Sequence, residues 1–266
     1  MTTRPTALTA LADTPAASVL VLDFDGVLAP IVENPEASAM PAGSAASLAR
    51  LATCLGTVAV ISGRPAGFLA GRVPARGVRL LGSYGMEQLA DGQVTLAAQA
   101  RAWLPAVEEA RGLLTAALGN QPGIRIEAKP ASVAVHWRQA PDRVAAADLV
   151  RDAAGRAGAQ TGLRVELGKL VFELRPPIDV DKGTAVGALI ATSRPAAVAY
   201  AGDDVGDLPA LRTVRDAGGY ALVVDHGAET DPRLLAIADE VFRGTQRFAD
   251  WLAALAAAAE STGQRA

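Results

Sequence analysis

The chain has 266 residues, half of them hydrophobic, with 25 basic against 28 acidic side chains and a net charge of −3. That length suits one large or two ordinary domains with an ample core, and the near balance of charge gives no electrostatic footing for nucleic acid or an anionic membrane. One cysteine and two histidines exclude an internal disulfide and speak against structural zinc.

No apolar run reaches the length needed to span a bilayer. The N-terminal stretch lacks the apolar core of a signal peptide, so a soluble cytoplasmic protein is expected. Residues 1–17 are rich in Thr, Ala and Pro and are expected to be partly disordered. Val19-Leu20-Val21-Leu22 then runs straight into Asp23-Phe24-Asp25-Gly26. A continuous apolar run closed by a glycine predicts a central strand covered on both faces. Its carboxylates fall at the C-terminal end, where open α/β sheets bind ligands. Asp23 and Asp25 are two apart, so in an extended chain they point the same way. Such a pair fits a metal site or a nucleophile with its acid, and equally a solvated pair capping a turn. A proline-containing loop and a helix presenting Leu48 and Leu51 on one face follow. Cys54, in an apolar stretch, reads as a small buried hydrophobe.

Thr57–Ile61 predicts a second buried strand, ending in Ser62-Gly63-Arg64-Pro65. Ser62 and its neighbouring amides suit an anion at a helix start, or Ser62 is simply an N-cap. Val78–Leu81 begins a third strand leading to Gly82-Ser83-Tyr84-Gly85-Met86-Glu87. Asp91-Gly92 has hairpin chemistry.

From about residue 98 the pattern changes. Residues 99–118 and 142–157 read as helices, and the strands around them alternate with period two. Arg125, Glu127 and Lys129 oppose Ile124, Ile126 and Ala128; Ser132, His136 and Arg138 oppose Val133, Val135 and Trp137. Arg164 and Glu166 oppose Leu163, Val165 and Leu167; Lys169, Glu173 and Arg175 oppose Leu170, Phe172 and Leu174. This predicts an antiparallel sheet with one dry and one wet face, the two helices on the dry face. The domains are therefore expected at 1–97 with 178–266 as the core, and 98–177 as an inserted α/β cap.

After Pro176-Pro177, Asp181 suits an N-cap opening a helix through Ile190. Lys182 in its first turn opposes the helix dipole, which makes it a candidate partner for a phosphate or a carboxylate. Val198–Ala201 is another buried strand, ending in Gly202-Asp203-Asp204-Val205-Gly206-Asp207. Tyr220–Val224 gives a further strand before His226, which reads as structural. Residues 245–259 form an amphipathic helix. The strand ends thus gather Asp23, Asp25, Ser62, Asp203, Asp204 and Asp207, with Lys182 from a helix start. An oxygen-rich, nitrogen-poor cluster selects a hard cation such as Mg²⁺ and suits phosphoryl transfer.

Asp23-Phe24-Asp25-Gly26-Val27, Ser62, Lys182 and Gly202-Asp203-Asp204-x-x-Asp207 resemble, in order and spacing, the four motifs of the haloacid-dehalogenase phosphatase superfamily. The resemblance implies a doubly wound, mostly parallel core sheet with an inserted cap. It implies Asp23 as the nucleophile, Asp25 as the general acid/base, and Ser62 and Lys182 on the phosphoryl group. It implies Mg²⁺ on the Asp23 carboxylate, the Asp25 backbone oxygen and Asp203, with Asp204 and Asp207 as ligands or anchors. Within that superfamily, Ile-Ser62-Gly-Arg64-Pro, Gly85-Met-Glu87, Glu127-Ala-Lys129-Pro, His136-Trp-Arg138, Gly168-Lys169 and Glu173-Leu-Arg175-Pro176 resemble trehalose-6-phosphate phosphatases. The implied sugar contacts are Glu127, Lys129, Arg138, Lys169 and Glu173; Gly26, Arg64, Glu87, His136 and Arg175 complete the expected substrate set. The chain departs from the common pattern at Val27, Tyr84 and Gly206-Asp207-Leu208-Pro209.

The function expected from this resemblance is Mg²⁺-dependent hydrolysis of trehalose 6-phosphate by a monomer with a small-molecule substrate and no nucleic-acid or membrane partner. Another phosphorylated sugar is the alternative. A catalytically dead sensor would require a lost nucleophile or metal acid, and Asp23, Asp25 and Asp203 are all present.

Overall fold

A computed structural model describes residues 4–32, 35–73, 76–90, 92–168 and 170–264. They form two compact units, one holding the described residues up to Thr95 and from Val180 onward, the other Leu96–Asp179. In chain order the larger unit begins with α1 (Ala7–Asp13), β1 (Ser18–Leu22), α2 (Ala42–Cys54), β2 (Thr57–Ile61), α3 (Ala66–Ala70), β3 (Val78–Gly82), β4 (Glu87–Ala90) and β5 (Gln93–Leu96). The smaller unit holds α4 (Ala98–Arg101), α5 (Leu104–Leu118), β6 (Arg125–Lys129), β7 (Ser132–His136), α6 (Arg143–Thr161), β8 (Arg164–Gly168) and β9 (Val171–Arg175). The chain then returns with α7 (Lys182–Ser193), β10 (Ala197–Gly202), α8 (Leu208–Asp216), β11 (Tyr220–Asp225), α9 (Pro232–Ile237), β12 (Glu240–Arg243) and α10 (Gly244–Gly263).

The larger sheet has the order β12-β11-β10-β1-β2-β3-β4-β5. It is parallel from β12 to β3 and turns antiparallel at β4. All five residues of β1 are buried, because its alternate side chains face different layers. Leu20 and Leu22 pack with Leu11, Leu48, Leu51, Phe248 and Leu252, from α1, α2 and α10. Val19 and Val21 pack with Val186, Leu189, Leu211 and Val214, from α7 and α8. A strand buried on both faces reads as an unbroken apolar run, which is what residues 19–22 show. From β1 the chain steps to β2 and β3 on one side, and later to β10 and β11 on the other. The strand order therefore reverses beside β1, and a crevice opens at the carboxyl ends of strands on either side of such a switch.

From Arg4 onward the N-terminal segment corrects the expectation of partial disorder, while residues 1–3 lie outside the described residues. Thr6 caps α1, its side chain accepting from the Thr9 amide, and Leu11 is fully buried. Arg4 reaches the carbonyls of Gly218 and Gly219 and stacks on Tyr220, while the Ala7 amide donates to Glu240 Oε1 at 2.7 Å. Truncating a fully buried leucine costs about 2–5 kcal/mol. Leu11→Ala is accordingly expected to lower the unfolding free energy of the larger unit by that amount in a denaturant titration; a neutral result would return α1 to the status of an appendage.

In the smaller unit the sheet order is β6-β7-β9-β8, antiparallel throughout. Its apolar face, with Val133, Val135, Phe172 and Leu174, is covered by Val107, Ala110 and Leu114 of α5 and Val150, Ala153 and Ala157 of α6. Four local expectations need correction. The predicted helix 99–118 breaks at residues 102–103, and Pro105 stands in the first turn of α5, where proline costs no hydrogen bond. The opposite face is not simply wet, since Glu173 and Arg175 are buried. Leu167, assigned to the dry face, is 71% exposed. The helix from Arg143 also runs on to Thr161, ending at Gly162 in the left-handed conformation, a common helix stop. Asp91 of the predicted hairpin turn lies outside the described residues.

Candidate active site

The site is assembled where β1, β2 and β10 end and α7 begins. Asp23 is 5% exposed; its Oδ1 accepts from the Phe24 amide at 2.7 Å and its Oδ2 lies 2.8 Å from Lys182 Nζ. Lys182 comes from the first turn of α7, whose start is set by a capping box between Asp181 and Thr184. Its ammonium also donates to Asp207 Oδ1 at 2.6 Å. A buried lysine keeps its charge only beside anions. Two carboxylates hold its proton more tightly than usual despite the opposing effect of burial.

Asp207 is wholly buried and filled by donors. Oδ1 accepts from Lys182 and from Tyr200 Oη at 2.5 Å, and Oδ2 from the Asp203 and Asp204 amides at 2.9 and 3.0 Å. It acts as an anchor that ties the Asp203 loop to the lysine. Burial, then the nearby Asp207 charge, holds the Tyr200 phenol well above its ordinary pKa, so it remains a donor. Gly202 permits the arrangement, because a Cβ there would lie 2.5 Å from the Asp207 side chain.

Asp203 lies against Gly26. Gly26 has φ +80°, and a Cβ on it would fall 2.0 Å from Asp203 Oδ2. Only glycine allows both this backbone and this approach. Asp203 Oδ1 is buried and has no hydrogen-bond partner. Carboxylate oxygens of Asp23, Asp203 and Asp207 lie within 4.8 Å of one another. Burial first, then like charges, raises the Asp23 carboxyl to about 7 and the Asp203 carboxyl to about 9. An orphaned buried oxygen among mutually repelling carboxylates fits a hard divalent cation bound by oxygen. Asp23 and Asp203 are the residues that suit it, since the oxygens of Asp207 are already engaged by four donors.

The other expected acids fall elsewhere. The strand stops at Leu22, so the alternation that would aim Asp23 and Asp25 alike is lost and they take different partners. The Asp25 carboxylate is gripped by Arg64, at 2.8 Å from Nε and 3.1 Å from Nη2, and accepts from Ser38 Oγ at 2.8 Å. Asp204 is exposed and caps the following turn through the Gly206 amide. Neither carboxylate belongs to the three-acid cluster. Ser62 is buried at the end of β2, its Oγ accepting from the Arg64 amide at 3.1 Å. Glu87 is fully buried, holding Ser83 Oγ and the Ala66 amide. It braces the turn after β3.

In the smaller unit, register places Glu127, Ala134, Glu173 and Glu166 in one row across the four strands. Lys129 Nζ donates to Glu173 Oε2 at 3.0 Å, and Ser132 to its Oε1 at 2.6 Å. His136 Nε2 lies 2.8 Å from Glu127 Oε2, and that hydrogen bond, above all, holds Glu127 down at about 2. Arg175 pairs with Glu166 at 2.8 Å, and Arg138 is exposed. Lys169 lies outside the described residues.

Two groups have no counterpart in the sequence pattern: Ser38 and Tyr200, above. No local pattern marks them, since each acts on a partner brought near only by the fold.

The trehalose-phosphatase family model matches residues 21–233. The chain belongs to the trehalose-phosphatase family. It is 38% identical to the trehalose-phosphate phosphatase of Mycobacterium avium over 86% of its own length, and 38% identical to that of Mycobacterium marinum over 81%. The alignments span 61% and 56% of those relatives. Among solved structures, a trehalose-6-phosphate phosphatase related protein superposes with TM-score 0.76 at 21% identity, covering 93% of this chain and all of that one. The C-terminal domain of the C. albicans trehalose-6-phosphate phosphatase gives 0.74 at 20%, covering 94% and 96%. The fold of this family member is thus the haloacid-dehalogenase type, a large mostly parallel sheet with a separate antiparallel one.

Proposed function

We propose that this chain is a Mg²⁺-dependent phosphatase that hydrolyses trehalose 6-phosphate to trehalose and phosphate. The carrying observation is Asp23, buried at the end of β1 with Lys182 at 2.8 Å and the orphaned Asp203 oxygen beside it. Lys182 and Ser62 hold the transferring phosphoryl group. An Asp23 oxygen attacks phosphorus, and the ester bond breaks as Asp25 gives its proton to the leaving sugar oxygen. Asp25 then takes a proton from water as that water displaces Asp23 from the aspartyl-phosphate. Before Asp25 can act, Arg64 must leave its carboxylate, and an incoming phosphate dianion is a suitable exchange partner for a guanidinium. A bound Mg²⁺, held by Asp23 and Asp203, supplies neutralisation of the phosphate charge.

The sugar contacts are assigned to Glu127, Lys129, His136, Glu173 and Arg175, on the polar face of the smaller sheet, and to Arg138 nearby. Glu127 stays ionised across the neutral range and is a strong acceptor for sugar hydroxyls. The support for trehalose 6-phosphate is the family membership and the names of the mycobacterial relatives. A cytoplasmic monomer fits this reading; among the described residues no helix is long and apolar enough to cross a membrane.

The test is phosphate release from a panel of sugar phosphates with and without Mg²⁺. Trehalose 6-phosphate should be preferred by kcat/KM, and preference for another sugar would move the substrate assignment. A hydrogen bond to a charged group is worth about 1.5–3 kcal/mol, so Glu127→Gln should raise KM for trehalose 6-phosphate by about tenfold or more. Its hydrolysis of p-nitrophenyl phosphate, which has no sugar, should stay at the wild-type rate. Equal losses on both substrates would count against a sugar-reading face.

A further inference from the structure

His226 stands at the end of β11, two hundred residues from Gly26 in sequence, yet its Nε2 lies 2.9 Å from the Gly26 carbonyl oxygen. A carbonyl only accepts, so Nε2 carries the hydrogen, whichever charge the ring bears. The same edge of the ring lies 3.5 Å from Asp203 Oδ2. The ring is aimed from behind: the Thr230 hydroxyl accepts from the His226 amide at 2.7 Å, and Asp225 Oδ1 accepts from the Gly227 amide at 2.9 Å. Three strand ends therefore meet at one glycine. β1 brings Gly26, β10 brings Asp203 onto the face where a Cβ would sit, and β11 brings a donor onto its carbonyl.

We propose that His226 is a positioning residue of the phosphatase centre, pinning the Gly26 peptide and occupying the Oδ2 side of Asp203 so that Asp203 presents Oδ1 to the cation. The inference rests on the Mg²⁺-dependent reading above. Its chemistry is that of an outer partner of a metal ligand. Such a group fixes the ligand's orientation, and its loss typically weakens metal binding about 10–100-fold. Asp203 Oδ1 is the buried oxygen left without a partner, as expected if the ring constrains the other one. The ring need not touch substrate or the reacting atoms.

The experiment compares His226→Leu, which removes the donor at similar bulk, with His226→Gln, which keeps an N–H near the Nε2 position. Mg²⁺ binding is measured by calorimetry without substrate, together with the Mg²⁺ dependence of phosphate release and the melting of chelated protein. His226→Leu should weaken Mg²⁺ binding about tenfold or more, with kcat recovered at saturating Mg²⁺, and His226→Gln should restore most of the affinity. Wild-type affinity in His226→Leu, or equal loss in both variants, overturns the proposal. So does a fall in the melting temperature of the chelated variants without a change in Mg²⁺ affinity, which is the mark of a purely structural ring. Wild-type protein that releases phosphate without regard to Mg²⁺ overturns the parent reading instead, and this one with it.

Discussion

Asp23→Asn is expected to stop phosphate release, by on the order of 10⁴-fold or more as for other nucleophile replacements, while leaving the fold intact. The amide is not a nucleophile toward phosphorus, so the loss should appear in kcat and no phosphoryl adduct should be detected on the protein by intact mass. The fold should survive because the charge removed is one the structure bears at a cost. Burial and Asp207 push the Asp23 carboxyl up to about 7. Asparagine keeps an oxygen for the Phe24 amide and removes repulsion with Asp203 and Asp207, while Lys182 retains Asp207 at 2.6 Å. Lost attraction and lost repulsion oppose each other, so the melting temperature of chelated protein should move little. Retained turnover would assign the attack to another group. Loss of both turnover and the folded state would leave the nucleophile role to be tested by trapping the phosphoryl adduct on wild-type protein.

What the sequence made legible follows from how each element is buried. β1, β2 and β10 lie between two helical layers, so they read as plain apolar runs, and their carboxylates could be placed at strand ends without coordinates. The smaller sheet buries one face well, so its period-two pattern exposed Glu127, Lys129 and Glu173 as a set. Segments with short or mixed patterns were lost. α1 is seven residues long, three of them alanine, with one fully buried leucine. β12 is a four-residue edge strand with no fully buried side chain. Residues that act through space were lost for a different reason. Glu87 looks like a site acid from its motif, yet it braces a backbone turn. His226 sits in a polar turn that says nothing of Gly26. The grip of Arg64 and Ser38 on Asp25 likewise depends on loops that only the fold brings together.

Removing metal should make stability depend on pH in a way that magnesium opposes. The Asp23 and Asp203 carboxyls are raised from 3.8 to about 7 and about 9, in both cases first by burial and then by neighbouring acids. A raised acid binds its proton more tightly in the folded than in the unfolded chain. Its stabilising contribution is whole below the unfolded value and is lost as pH climbs through the folded one. Chelated protein should therefore melt progressively lower between about pH 5 and pH 9, a window set by these two groups. Glu127, held at about 2, adds no slope there. A cation takes the place of those protons and binds only the ionised acids, so its stabilisation should grow over the same interval. One hundred dissociation constants of free ligand contribute about 2.7 kcal/mol, so excess Mg²⁺ should make the decline shallower without abolishing it. Thermal melts across that pH range, with chelator and with excess Mg²⁺, read this directly. Curves that diverge toward alkaline pH place the cation on Asp23 and Asp203; curves that stay parallel would mean that the ion, if bound, sits on groups already ionised at pH 5.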